Sequence, residues 1–90
     1  MDNQHEAVIH ARQDLAQRLG VSENDVNMIS VKQVDFPDAA LGAPGEDEMS
    51  AQVITPGWRI QLKAQGESYE YRSSGKQLRL YNFKGNNYRI

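Results

Sequence analysis

Few side chains in this 90-residue chain could do chemistry, and their spacing argues against most of it. His5 and His10 stand five apart, whereas two ligands of one metal on a helix are set three or four apart so that both project to the same side. Neither a metal site nor a cofactor is expected. Ser30, Ser50, Ser68, Ser73 and Ser74 lie outside any GxSxG pattern, and the two histidines that could serve as base fall in the first turns of an N-terminal helix. A nucleophile needs a base within hydrogen-bond reach, itself held by a third group. No catalytic residue emerges, and the expectation is a protein that is not an enzyme. Cysteine is absent, which removes thiolate chemistry, cysteine zinc sites and disulfides together. Asp35, Asp38, Glu46, Asp47 and Glu48 could gather a hard cation, but they lack the alternate-residue ligand spacing of an EF-hand and are expected as a solvated loop. Gly42 and Gly45 are not followed by the Lys and Ser/Thr of a phosphate loop.

What remains is charge and aromatic rings. Residues 1–55 carry three basic side chains against ten acidic ones, and residues 56–90 carry seven basic against two acidic, within a net charge of −2. Six of the seven aromatic residues, Trp58, Tyr69, Tyr71, Tyr81, Phe83 and Tyr88, fall in the basic part. Exposed rings stack on bases while Lys and Arg hold phosphates, so residues 56–90 could bind single-stranded nucleic acid as an open sheet. Against this, Trp58, Tyr69 and Tyr71 alternate with charges as the core positions of strands do, and the two parts of the chain can neutralise each other in the fold.

These side chains must be carried by one small domain, residues 1–90, with a single modest core. Asn3 with Glu6 matches a capping box, Ala7, Val8, Ala11, Leu15, Ala16 and Leu19 recur at helical spacing, and Gly20 suits a left-handed cap, which predicts a helix over residues 4–19. Ser22 and Asp25 mark a second, single turn. Residues 28–36 are rich in strand formers, and the change of phase between Val31 and Val34 predicts a bulge near Lys32 or Gln33. Residues 37–49 have no periodicity and are expected to offer little to bury, making residues 38–48 the most mobile internal segment. A short strand is expected at residues 50–54, then a turn at Pro56 and Gly57. Trp58, Ile60, Leu62 and Ala64 alternate with polar residues, Gln65 and Gly66 supply a turn, and Tyr69 and Tyr71 resume the alternation as a hairpin. Leu78 and Leu80 mark a further strand towards Phe83, followed by a turn and a short pairing segment or frayed end at residues 88–90. The expected fold class is α+β, an N-terminal helix packed on one face of a four- to five-stranded, mainly antiparallel sheet.

Three blocks, DLAQRLGV at residues 14–21, FPDAALGAP at residues 36–44, and TPGWRIQL with YEYR at residues 55–62 and 69–72, resemble a group of small bacterial domains of no assigned activity. The resemblance implies an α+β fold. Members of that group are often exported and carry a cysteine directly after the LG of the middle block, where this chain has Ala43. That departure, with the absence of a basic and apolar leader, points to a reducing, cytoplasmic setting. In element order alone the chain is similar to PepSY-type modules, which implies protein binding or an inhibitor-like restraint of peptidases.

The preferred function is a non-enzymatic protein-interaction or regulatory domain, a monomer or weak homo-oligomer, with an unidentified protein partner and no membrane. Its contact surface is expected at residues 37–49 and the flanking strand edges, with Leu41 as an exposed anchor or as a pin holding the loop, and with Glu46, Asp47 and Glu48 beside it. Nucleic-acid binding through residues 56–90 is the alternative.

Overall fold

The computed structural model describes residues 4–90 of the chain. Helix α1 spans Gln4–Leu19 and is followed by a single 3-10 turn, Glu23–Asp25. Five strands come next, β1 (Asn27–Phe36), β2 (Thr55–Ala64), β3 (Glu67–Ser74), β4 (Gln77–Phe83) and β5 (Asn86–Arg89). They form one antiparallel sheet in the order β1-β2-β3-β4-β5. The α+β expectation holds.

The helix is amphipathic as its spacing predicts: Ala7, Ala11, Leu15 and Ala16 are buried. Asn3 of the expected capping box lies outside the described residues. Gly20 takes the left-handed conformation that ends the helix, and Ser22 caps the short turn by accepting from the Asn24 N–H at 3.2 Å. On the helix side of the sheet, Ile60, Leu62 and Ala64 of β2 join Tyr71, Leu78 and Leu80 in one core with Leu15, and Trp58 and Leu19 pack against it half-buried. Asp14 accepts a 2.7 Å hydrogen bond from the Tyr71 hydroxyl and pairs with Arg18, tying helix to sheet. Burial, and then the Asp14 carboxylate, push the Tyr71 hydroxyl well above the usual range, so it stays a neutral donor. Tyr71→Phe is expected to lower stability by about 1 to 2 kcal/mol, read as a shift of the urea midpoint at constant slope.

The hairpin alternation of the sequence is realised directly. Ala64 pairs with Glu67 across Gln65 and Gly66, whose φ values of 53° and 79° make a type I′ turn. A turn of this kind closes on a hydrogen-bonded pair. Counting along the register from Ala64 and Glu67, the backbone groups of Gln61, Arg59 and Gly57 face β1, and those of Val31, Gln33 and Asp35 face away from β2. Gly57 has a separate necessity: a Cβ there would stand 2.1 Å from the Ser73 carbonyl oxygen.

Three expectations are corrected. The bulge in β1 lies at Ile29, between Met28 and Ser30, and not near Lys32 or Gln33. Val31 and Val34 fall on opposite faces without a break because both faces of this sheet are covered. Residues 50–54 form no strand, and Pro56 and Gly57 belong to β2 instead of a turn. Residues 37–54 are not a bare loop either, since Ala40, Leu41 and Ala43 are buried.

Candidate functional site: the strap of residues 37–54 and the free edge of β1

The strap crosses the sheet face opposite the helix, and the polar positions of the strands hold it there. Gln77 Nε2 donates to the Ala39 carbonyl at 3.1 Å, Arg72 to the Leu41 carbonyl at 2.9 Å, and Asn87 Nδ2 to the Pro44 carbonyl at 2.9 Å. These donors sit on β4, β3 and β5, so the strap reaches the far edge of the sheet before returning, and the Ala39 N–H closes its base on the Ala51 carbonyl at 2.9 Å. Within it, Asp38 caps the N–H groups of Ala40 and Gly42 at 2.9 and 3.0 Å. Leu41 adopts φ 59° in the turn that closes from the Ala43 N–H to the Ala40 carbonyl at 3.0 Å.

Beneath the strap lie two arginines that look solvent-facing in the sequence. Arg79 is 3% exposed and meets Glu48 in a two-pronged ion pair, 2.6 and 2.7 Å. It also donates to the Ala43 carbonyl at 3.3 Å and to the Gln77 side chain. The Arg79 hydrogen bonds chiefly, and then the Gly45 N–H, pull the Glu48 pKa from 4.5 to about 2. Arg72 stacks between Tyr81, 3.8 Å from the ring centre, and Phe36 at 5.5 Å, and pairs with Glu70 at 2.7 Å. The charge split of the sequence is thus partly spent inside the fold, acidic strap on basic sheet.

The structure places the sequence-derived contact residues unevenly. Leu41 is fully buried, which corrects its role as an exposed anchor and matches the pin. Glu48 is committed to Arg79, whereas Glu46 and Asp47 are exposed. Exposed apolar side chains do occur where the strap leaves the sheet: Met49 at 96%, Val53 at 57% and Ile54 at 71%. Ile54 precedes Thr55, which pairs with Phe36, so this segment emerges beside the C-terminal end of β1. Among the described residues no strand pairs with the outer edge of β1, a strand of ten residues carrying exposed Met28 and Ile29 at its start. The flanking strand edges and Met49 fall within the expected contact surface, whereas Val53 and Ile54 lie in a segment expected to be a strand.

The other constellations separate. His5 and His10 are exposed on the helix, and no metal-holding group of three or more His, Cys, Asp or Glu exists among the described residues. Ser73 is buried with its hydroxyl unpartnered, and Ser74 donates to the Pro56 carbonyl at 2.8 Å. The rings do not form an open platform: Tyr71 is buried, Trp58, Tyr69, Phe83 and Tyr88 pack against the core, and Tyr81 is covered by Arg72. No helix among the described residues is long and apolar enough to cross a membrane.

Residues 8–81 match a family described as a domain of unknown function, DUF8738. The chain belongs to that family. The match begins in α1 and ends in β4, so it takes in the strap, β1 and every donor that holds the strap except Asn87 of β5. No curated protein and no solved structure matches the DUF8738 chain.

Proposed function

We propose that this DUF8738 domain is a protein-interaction module without catalytic activity, and that it receives an extended segment of a partner protein along the free edge of β1. The observation that carries this is the bulge-free stretch from Ser30 to Phe36, where the outward backbone groups of Val31, Gln33 and Asp35 repeat at the spacing of a strand ladder. Main-chain pairing supplies affinity, and Val53 and Ile54, which lead into Thr55 at the end of the edge, supply apolar contacts for alternate partner side chains. The partner is a different protein and not a second copy. The bulge at Ile29 and the exposed charges of Lys32 and Asp35 are devices that keep an edge from pairing with itself.

Gln33→Pro tests this, because Gln33 is exposed and its N–H is not part of the β1–β2 ladder. Proline at such an edge position is expected to leave stability within about 1 kcal/mol of wild type. Immobilised wild-type domain is expected to retain a defined set of proteins from a lysate of its own organism, and Gln33→Pro to lose them. Retention of the same set by both proteins would show that the edge of β1 is not the contact surface.

A further inference from the structure

At the opposite end of the sheet from the base of the strap, β4 parts from β3. The pairing between them ends at Glu70 and Tyr81. Asn82 then takes φ 51°, its N–H is held by the Asn87 side chain at 2.7 Å, and β4 turns away to pair Phe83 with Asn86. The last three residues before that point, Glu67 to Tyr69, have β2 on one side and no strand on the other. The register from the Ser74 and Gln77 turn makes Arg72, Glu70 and Ser68 the positions whose backbone groups face β4. Ser68 therefore directs its N–H and carbonyl into the gap with no strand to receive them.

The gap is a cleft of about 410 Å³, the size of a small-ligand site. Tyr69 and Phe83, 5.8 Å apart and tilted by 36°, line it together with Glu67 and Lys84. Its charges are not all available. Glu70 is spent on Arg72 at 2.7 Å and Arg59 at 3.6 Å. Glu67 has only a 3.4 Å contact with the Tyr69 hydroxyl, and the Lys84 ammonium stands 5.3 Å over the Phe83 ring. Among the described residues neither is in an ion pair. One uncompensated carboxylate, one uncompensated ammonium, a strand edge with an open donor and acceptor, and two rings thus share one recess.

We propose that this cleft binds a free α-amino acid with an aromatic or large apolar side chain. Lys84 takes the carboxylate, Glu67 and the Ser68 carbonyl take the ammonium, and Tyr69 and Phe83 pack on the side chain. A simple anion or cation would satisfy only one of the two charges, and a segment within a protein chain has neither an α-carboxylate nor an α-ammonium to offer on adjacent atoms. The site is independent of the β1 edge, from which β2 and β3 separate it.

The test is an amide chemical-shift titration with three probes: L-phenylalanine, N-acetyl-L-phenylalanine and L-phenylalaninamide. L-phenylalanine is expected to shift the amides of Ser68, Tyr69, Phe83 and Lys84 in a saturating manner. Each cap is expected to weaken binding by about threefold or more, as for partly exposed charge pairs. Lys84→Gln should abolish the preference for the acid over the amide alone, and Glu67→Gln the preference for the free over the acetylated amine alone. Both residues are exposed, so the variants are expected to fold. No saturating shift, or capped probes that bind as well as the free amino acid, would overturn the proposal.

Discussion

Replacing Leu41 with alanine is expected to destabilise the domain by about 2 to 5 kcal/mol, and replacing it with aspartate to leave little folded protein at room temperature. Leu41 is fully buried, as are Phe36, Ala40 and Ala43, and none of the four belongs to the core beneath the helix. Leu41 holds this position at φ 59°, a conformation that costs a non-glycine residue about 1 to 2 kcal/mol. Side-chain burial must therefore outweigh backbone strain, and truncation keeps the strain while removing the burial. Aspartate adds the larger penalty of an unpaired charge in an apolar site. Urea denaturation of Leu41→Ala would measure the first, and circular dichroism of Leu41→Asp the second. A melting temperature unchanged in both would place Leu41 outside the core and return it to the surface as a contact residue.

The same residue shows what the sequence could and could not disclose. Alternation identified the helix face of the sheet from Trp58 to Tyr71 and set the hairpin correctly, because period and turn chemistry are local. It also leaves Arg59, Lys63 and Arg72 on an outer face expected to be wet, yet the Arg72 side chain is 13% exposed under the strap, since a face opposite the core is dry when another part of the chain covers it. The cover came from residues 37–54, whose glycines, prolines and acids carry no period. Two signals point to it: apolar Phe36 and Leu41 flanking the turn, and an acidic run in a chain with seven of its ten basic residues later. Open edges beside residues 37–49 were expected, but that β1 is the outer strand follows from strand order, and the cleft beside Ser68 from the bulge between Leu80 and Phe83, and neither leaves a pattern in a single sequence.

The ion pair under the strap gives the domain a defined acid response. Glu48 titrates at about 2 in the folded protein against 4.5 ordinarily, so the folded state binds fewer protons than the unfolded state between these values. Stability contributed by this group is complete above about pH 4.5 and drains away as the pH falls towards 2. Glu48→Gln is expected to flatten that limb of the stability curve. At neutral pH it should also cost about 3 kcal/mol, because Arg79, at 3% exposure, is left without its counter-charge. Arg79→Met removes the other partner and should cost a similar amount while releasing the strap. In the double variant Glu48→Gln with Arg79→Met, no charge remains to be desolvated, and stability should recover beyond either single variant. Chemical denaturation from pH 2 to 7 of all four proteins separates the outcomes. Additive losses, with the acid limb unchanged in Glu48→Gln, would mean that the strap is held by its backbone contacts and Leu41 alone, and that Glu48 is a surface charge like Glu46 and Asp47 beside it.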